Sequence, residues 1–148
     1  MDTKQTKQLV MQAYQFYKDK NINGVLSLVD DKVEWIGPDS DFIPFAGQFH
    51  GKDQVAQFFG KLDQSQDVLN FEPQNFIAEG DKVAVTGISN WRVKATGLTY
   101  DNPWVHIFTV RDGKIVRFEQ HAHTAAAEAA FRPAQVSAAS AAEKPMRH

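Results

Sequence analysis

Hydrophobic residues recur every three or four positions in the first part of the chain, which is the spacing of an amphipathic α-helix. This spacing predicts a helix over residues 3–19, a short helix over 21–29 and a third helix over 52–62. Between the second and third helices, Val33–Ile36 is predicted to be a short strand. Residues 42–49 are apolar but interrupted by proline and glycine, which predicts an ordered loop.

From residue 68 onward, hydrophobic and polar residues alternate, which is the spacing of a β-strand with one buried face. Glycine next to aspartate marks tight turns at Gly80-Asp81 and at Asp112-Gly113. The alternation and the turns predict four strands, over residues 68–78, 82–95, 99–110 and 115–124. Three helices followed by sequential long strands predict an α+β fold, in which the helices cover one face of a strongly curved antiparallel sheet.

The composition changes near the C-terminus, where alanine and serine become dominant. The chain has 148 residues, which fit one domain, and we predict that this domain occupies residues 1–131. Residues 125–131 are alanine-rich and predict one or two helical turns. The remaining tail, residues 132–148, has little hydrophobic surface to bury, so we expect it to be mobile or draped over a neighbour.

Charge and composition exclude several kinds of partner. A formal net charge of −2 provides no positive surface for nucleic acid or for an anionic membrane. No hydrophobic run approaches the ~18 residues that span a bilayer, and the first residues lack the apolar core of a signal peptide. The sequence contains no cysteine, which excludes disulfides and thiolate nucleophiles. We therefore expect a cytoplasmic protein without a nucleic-acid or membrane partner.

Aromatic residues are abundant, with eleven Phe, three Trp and three Tyr. So many large rings in a small domain suit either a bulky core or an apolar pocket. Strand alternation places Trp104, His106 and Phe108 on one face, where burial would lower the pKa of His106 and favour neutral imidazole. The rings that we predict to wall a pocket are Trp35, Phe45, Trp91, Trp104, Phe108 and Phe118. Core packing is the alternative for any one of them.

The last predicted strand carries two histidines, His121 and His123, on the same face as Glu119. Imidazole, with an ordinary pKa of about 6.5, is well suited to proton transfer near neutral pH. Pairing about the turn at residues 112–113 places His106 opposite about residue 119, one diagonal step from His121. We therefore expect these side chains to form a proton-handling cluster. Two alternatives stay open: histidines that pack against a second subunit, and a metal site built on His121 and His123.

Several short motifs, combined with the order of the predicted elements, resemble a known superfamily. These motifs are Val33–Pro38, Pro44–Lys52, Ile77–Val83, Asn102–Phe108 and Arg111–Phe118. Over roughly residues 5–131, the chain resembles the SnoaL-like and ketosteroid-isomerase-like proteins of the NTF2-like superfamily. The resemblance implies a conical α+β fold with a pocket for a small hydrophobic molecule, a homodimer formed through the exposed sheet face, and no organic cofactor.

The resemblance also implies where catalytic groups would lie. A ketosteroid isomerase has a general-base Asp near the end of its first strand, where this chain has Trp35–Gly37 and Glu34 is the nearest carboxylate. Its oxyanion hole combines a Tyr with a protonated Asp, and these positions fall near Tyr14 and on or beside His106. SnoaL-type cyclases use an Asp near the end of the final strand, where this chain has His123. Imidazoles therefore take the place of most of the carboxylates.

These observations lead to one main hypothesis. We predict a domain that binds a small hydrophobic or aromatic molecule in a conical pocket and can catalyse proton transfer, as an isomerase or a polyketide cyclase does. The predicted catalytic residues are His106, His121 and His123, with Glu34 and Tyr14 in support. A noncatalytic ligand-binding module of the same fold is the first alternative, and a metal-dependent enzyme is the second.

Overall fold

The chain begins with helices and continues with a run of long strands. A computed structural model describes residues 2–139, including the side chains as far as residue 132. Its helices are α1 (Thr3–Lys18), α2 (Ile22–Ser27), α3 (Gly51–Ser65) and α4 (Thr124–Ala139). The first three confirm the helices predicted from hydrophobic spacing. The fourth is longer than the one or two turns predicted for residues 125–131.

Helix α1 begins where the sequence supplies a cap. The Gln5 backbone N–H donates to the Asp2 carboxylate at 2.8 Å, and the Asp2 N–H donates to the Gln5 side chain at 3.0 Å. This reciprocal pair satisfies two of the backbone groups that a helix start leaves without partners. Val10, Ala13 and Tyr14 follow three and four residues apart on one buried face. The first helix therefore presents Tyr14 to the interior of the domain.

The strands of the described residues form one mixed sheet. They are β1 (Val29–Ile36), β2 (Gln48–His50), β3 (Gln66–Glu79), β4 (Lys82–Val93), β5 (Thr99–Arg111) and β6 (Lys114–Ala122). Their order across the sheet is β2-β1-β6-β5-β4-β3, and β1 and β6 are parallel whereas the other neighbours are antiparallel. The predicted α+β class is confirmed. The prediction of a wholly antiparallel sheet is wrong at β1 and β6, because alternation along a strand carries no information about the direction of its neighbour.

The short strand β2 lies in a segment that the sequence predicts to be a loop. Its residues pair with the end of β1, so that Phe49 lies opposite Trp35. Gly47, just before it, has a φ of 106°, which glycine adopts far more readily than other residues. Three residues are too few for alternation to be recognised, which is why the pattern did not predict this strand.

Both predicted hairpin turns have the backbone conformation that such turns require. Gly80 has a φ of 61°, and Asp112 and Gly113 have φ values of 51° and 75°. Positive φ costs glycine little and is tolerated by aspartate better than by most residues. The first turn joins β3 to β4, and the second joins β5 to β6.

The two faces of the sheet have different environments. Helix α1 packs against β3 and β4, and α3 packs against β1. The buried side chains of β5 alternate with more exposed ones and form a line on the inner face: Tyr100, Asn102, Trp104, His106 and Phe108. This inner face, covered by the helices, carries the candidate site.

Helix α4 packs against the rest of the domain and continues beyond residue 131, where we placed the domain boundary. Ala127, Ala130 and Phe131 are buried in the core, and the Phe131 ring lies 6.1 Å from that of Phe45. The Thr96 hydroxyl donates to the Ala130 carbonyl at 2.8 Å. The part of the predicted tail from residue 140 onward lies outside the described residues.

None of the helices within residues 2–139 is both long enough and apolar enough to cross a membrane.

Candidate functional site

A cavity lies between the inner face of the sheet and helices α1 and α3. Its volume is about 90 Å³, and its wall is mainly aromatic. All the rings predicted to wall a pocket lie around it, namely Trp35, Phe45, Trp91, Trp104, Phe108 and Phe118. No Asp, Glu, Lys or Arg among the described residues lines it. The cavity is therefore an apolar and uncharged space with a few neutral polar groups.

Tyr14 and His106 form a buried hydrogen-bonded pair on the cavity wall. The Tyr14 hydroxyl lies 2.7 Å from His106 Nδ1, and the two side chains belong to residues that are only 7% and 8% exposed. Trp104 stacks on His106 with ring centroids 4.0 Å apart. The first helix and the fifth strand therefore meet at one polar contact, which aromatic rings surround.

Burial keeps both members of this pair uncharged near neutral pH. Burial lowers the pKa of His106 to about 3, and it raises the pKa of Tyr14 well above its ordinary value of 10. The phenol is the stronger acid of the two neutral groups and the imidazole nitrogen is the stronger base, so we assign the Tyr14 O–H as the donor to Nδ1. The proton of His106 then lies on Nε2. This nitrogen has no partner among the described residues, so it can donate to a ligand in the cavity.

A second set of polar side chains lines the cavity, and of its members only Trp91 was predicted from the sequence. Trp91 Nε1 donates to Ser89 Oγ at 2.8 Å, and Asn102 Nδ2 donates to the same oxygen at 3.3 Å. Beside them, the Tyr100 hydroxyl donates to Gln66 Oε1 at 2.7 Å. Strand alternation could have revealed part of this cluster, because residues 100 and 102 share the inner face with residues 104 and 106.

Two tryptophans in the cavity wall hold unpaired indole N–H groups. Trp35 Nε1 and Trp104 Nε1 are the only fully buried side-chain nitrogen or oxygen atoms of the described residues without a hydrogen-bond partner. An unpaired buried donor costs roughly 1–3 kcal/mol. The Trp35 ring stacks on Phe118 at 4.0 Å, so it is held firmly although its polar group is unsatisfied.

The histidines of the last strand lie outside this site. His106 pairs with Gln120, not with residue 119, because the register shifts by one residue at Thr109 and Val110. A shift of one residue exchanges the two faces of a strand. Gln120 therefore lines the cavity, whereas the His121 side chain is 59% exposed and its nearest charged neighbour is Glu119 at 3.6 Å. The expected cluster of His106, Glu119 and His121 is wrong for this reason.

Two other predicted catalytic residues, His123 and Glu34, also lie away from the cavity. His123, just beyond the end of β6, is exposed. The Glu34 side chain is 51% exposed and its carboxylate lies 3.4 Å from Arg117 Nη1 in an ion pair. Trp35, its neighbour in β1, points to the opposite face and lines the cavity. Of the five predicted catalytic residues, the structure brings only Tyr14 and His106 together.

A metal site built on His121 and His123 would need a third ligand beside them. Within the described part of the chain, no group of three or more His, Asp or Glu side chains is arranged to hold a metal ion. His121 and His123 therefore have no third ligand there.

An open groove lies on the surface next to the cavity. Its volume is about 800 Å³. Several side chains border both spaces, namely Tyr17, Phe59, Leu62, Gln66, Phe71 and Trp91. We refer to these six side chains as the shared wall. Because they line both spaces, a change in their positions would change the size of both.

The sequence also matches a family model. The model of the SnoaL-like domain matches residues 10–118, which is most of the chain and includes both Tyr14 and His106. The chain belongs to the SnoaL-like domain family. The resemblance inferred from short motifs is therefore confirmed. No curated protein sequence matches the chain.

Solved structures support the same fold for this SnoaL-like domain. An NTF2-like protein from Burkholderia xenovorans LB400 has a TM-score of 0.81 and 29% identity, and the match covers 88% of this chain and 98% of that one. An NTF2-like protein of unknown function from Burkholderia pseudomallei K96243 has a TM-score of 0.78 and 25% identity, with the same coverage. TerC, co-crystallised with polyporic acid, has a TM-score of 0.78 and 26% identity, and the match covers 86% of this chain and 98% of TerC.

Proposed function

We propose that this SnoaL-like domain binds a small, neutral, ring-containing molecule in the cavity and holds its carbonyl oxygen on His106 Nε2. The observation that carries the proposal is the Tyr14–His106 hydrogen bond of 2.7 Å in the wall of an uncharged aromatic cavity. The bond fixes the imidazole orientation and leaves one donor for a ligand. The structure of TerC with polyporic acid supports small-molecule binding in a similar fold.

The lining favours a neutral ligand over a charged one. Moving an ion into an apolar site costs several kcal/mol unless an opposite charge compensates for it, and the described lining offers no such charge. The volume of about 90 Å³ is below the ~300–1,000 Å³ of pockets for drug-sized ligands, which favours a single ring over a multi-ring ligand. An apolar cavity that binds benzene has a volume of ~150 Å³, so even a single-ring ligand requires the shared wall to move.

A direct test compares two molecules of similar shape. Acetophenone has a carbonyl group, and ethylbenzene does not. Calorimetry should show that the wild-type chain binds acetophenone about fivefold more tightly than ethylbenzene, because one neutral hydrogen bond contributes about 1 kcal/mol. All three tryptophans of the sequence line the cavity, so ligand entry should also change the tryptophan emission.

A variant of His106 and a matched control complete this test. In His106→Asn, the Asn oxygen can still accept from Tyr14, but the side chain is too short to donate at the position of Nε2. We expect this variant to lose the preference for acetophenone, whereas His123→Asn, at an exposed position, should keep it. Equal affinities of the wild-type chain for both molecules would refute the role of His106, and absence of binding would refute the site.

A second candidate function is proton transfer at the carbon next to the ligand carbonyl, as in an isomerase or a cyclase. The observation that favours it is that Tyr14 and His106 lie where the family resemblance places an oxyanion hole, and donors there stabilise a developing enolate. The described cavity lining contains no carboxylate to act as the base. His106, with its pKa near 3, is a weak base, which makes binding the first proposal.

Proton transfer can be measured separately from binding. The methyl protons of acetophenone exchange with deuterium when an enolate forms, and this exchange is followed by NMR in D₂O. Exchange that is faster with the wild-type chain than with His106→Asn would support the enzyme. If acetophenone binds but its methyl protons exchange no faster than in buffer alone, the chain would be a noncatalytic binding module.

The outer face of the sheet supports a proposal about assembly, namely that two copies of the chain pair through it. Ile77 is 62% exposed there, Ile88 is also exposed, and Ile107 lies in the same row as Ile77. His121, opposite Val105, is on this face as well. Sedimentation velocity should show a dimer that dissociates in an Ile77→Lys, Ile88→Lys variant. A monomeric wild-type chain would contradict the proposal.

The cytoplasmic location stays a prediction of the sequence.

A further inference from the structure

The second set of polar side chains in the cavity is built as a subsite for a ligand. We propose that the ligand spans the cavity from His106 to Asn102, with a carbonyl group at the first end and a hydroxyl group at the second. This inference rests on the proposed function and specifies the substrate class: a single aromatic ring with a carbonyl group and a hydroxyl group on opposite sides.

The hydrogen bonds around Ser89 fix the orientation of the Asn102 amide. Ser89 Oγ accepts from Trp91 Nε1 at 2.8 Å and donates to the Asn102 backbone carbonyl at 3.3 Å. A hydroxyl group has one proton, so the contact between Ser89 Oγ and the Asn102 side chain, at 3.3 Å, must use an amide N–H as the donor. Nδ2 therefore faces Ser89, and Oδ1 faces the other way.

This orientation leaves an acceptor at the cavity surface. Asn102 lines the cavity, and its Oδ1 has no partner among the described residues. Asn102 Oδ1 is not among the fully buried unpaired atoms, so it retains accessible surface. Asn102 is 9% exposed and lies on the inner face of β5, so we infer that this surface faces the cavity. Gln66 Nε2 is likewise without a partner among the described residues, because Gln66 Oε1 accepts from Tyr100, and Gln66 borders the groove as well as the cavity.

The two free amide atoms point to a hydroxyl group on the ligand. Asn102 Oδ1 can accept from a donor on the ligand, and Gln66 Nε2 can donate to an acceptor. A hydroxyl group can supply both, whereas a carbonyl or an ether can only accept. The other end of the cavity differs, because His106 Nε2 carries a proton and requires an acceptor. The two ends therefore distinguish a carbonyl group from a hydroxyl group.

The spacing of the two ends sets the length of the ligand. Asn102 and His106 are four residues apart on the inner face of β5, which corresponds to ~13 Å between their Cα atoms. Side chains on one face stand roughly perpendicular to the sheet, so we infer a similar separation between Asn102 Oδ1 and His106 Nε2. Two hydrogen bonds of about 2.8 Å along this line then leave roughly 7 Å between the polar atoms of the ligand, the span of one aromatic ring with para substituents. Trp104 lies between the two ends on the same face, where its indole can contact the ring.

Three related ketones test this arrangement on the wild-type chain. They are acetophenone, 4-hydroxyacetophenone and 4-methoxyacetophenone, titrated by calorimetry at mildly acidic pH, where the phenol is neutral. We expect 4-hydroxyacetophenone to bind about fivefold more tightly than acetophenone. The methoxy compound should show no such gain, because it has no proton to donate to Asn102 Oδ1. Equal affinity for the hydroxy compound and acetophenone would overturn the inference and leave the proposed function intact.

A pair of asparagine variants gives the complementary test. In Asn102→Ala, the affinity for the hydroxy compound relative to acetophenone should fall from about fivefold to about one, whatever the affinity for acetophenone itself. Asn75→Ala is the matched control, because Asn75 is exposed on β3 and donates to Thr86 at 3.0 Å, away from the cavity. A gain that persists in Asn102→Ala would overturn the inference. If Asn102→Ala does not fold, the ketone series on the wild-type chain decides. If none of the ketones binds, the proposed function fails and the inference fails with it.

Discussion

Gly87 and Trp104 lie opposite each other on β4 and β5, and the indole ring occupies the space that a side chain at residue 87 would need. A Cβ atom added to Gly87 would lie 2.3 Å from Trp104 Cζ2 and 2.6 Å from the Glu72 carbonyl oxygen. Real Cβ atoms do not approach other atoms so closely, and one of these two neighbours is backbone. The absence of a side chain at residue 87 therefore allows Trp104 to lie flat beside His106.

We expect Gly87→Ala to destabilise the domain by about 1–3 kcal/mol, because it overpacks the core. The measurement is the free energy of unfolding from urea denaturation. Gly60→Ala is the matched control: Gly60 is a helical position with no atom within 4 Å of an added Cβ. Alanine favours a helix by roughly 1 kcal/mol over glycine, so the control should be neutral or more stable. Equal stabilities of the two variants would contradict the packing described for Trp104.

Tyr14→Phe should destabilise the domain by about 1–2 kcal/mol, because it leaves His106 Nδ1 buried without a partner. Tyr17→Phe is the comparison, since Tyr17 also lines the cavity but makes no side-chain hydrogen bond within the described residues. We expect the second change to have an effect close to zero. Urea denaturation measures both values, and the ¹⁵N shifts of His106 report separately whether its hydrogen bond is lost. A Tyr14→Phe variant as stable as Tyr17→Phe would contradict the assignment.

Stability should fall as the pH decreases from about 6.5 toward 3. The pKa of His106 is about 3 in the folded chain, because burial and, to a smaller extent, the charge of His121 disfavour the charged form, and 6.5 is its ordinary value. Between these values the unfolded chain binds a proton at this residue and the folded chain does not, so protonation favours unfolding. The stabilising contribution of neutral His106 is fully present above the unfolded pKa and is lost as the pH falls.

The measurement is the difference in unfolding free energy between the wild-type chain and His106→Asn as a function of pH. This difference should change by roughly 1.4 kcal/mol per pH unit in that window. His123→Asn, which removes an exposed histidine, should follow the wild-type slope. Parallel curves for the wild-type chain and His106→Asn would show that His106 titrates normally and is not buried as described.

Phe131→Ala should cost roughly 3–5 kcal/mol, because it removes a large ring from the core next to Phe45. If α4 belongs to the same cooperative unit as the sheet, tryptophan emission and far-UV circular dichroism should lose their signals in one shared transition. Ala129→Gly, on the exposed side of the same helix, should cost only about 1 kcal/mol. A Phe131→Ala variant with wild-type stability would show that α4 contributes little to the core.

The face of a strand on which a residue lies can be predicted from the sequence, because alternation is a local property. Trp104, His106 and Phe108 lie on one face whatever strand lies beside them. The Tyr14–His106 contact is different, because 92 residues separate its members and only the family resemblance brought both near one site. His121 was wrongly predicted to lie near His106 because the pairing of β5 with β6 shifts by one residue at Val110. No periodic pattern in the sequence reveals such a shift.

The polar subsite escaped prediction for another reason. Ser89 and Asn102 are ordinary surface residues by composition, and only the pairing of β4 with β5 shows that they lie opposite each other on the buried face. The orientation of the Asn102 amide depends on three hydrogen bonds to one hydroxyl group. Such a network is a property of tertiary structure, and alternation along β5 indicates only that Asn102 shares a face with His106.

The parallel pairing of β1 with β6 has a consequence for how the chain is made. Glu34 in β1 lies beside Arg117 in β6, and 83 residues separate them. At ~5–20 residues per second of synthesis, β1 leaves the ribosome several seconds before its neighbour exists. The nascent chain can form its first helices early, but the cavity is completed only when β6 has emerged. Ligand binding should therefore begin abruptly, late in synthesis, and a chain that stops before β6 should not bind.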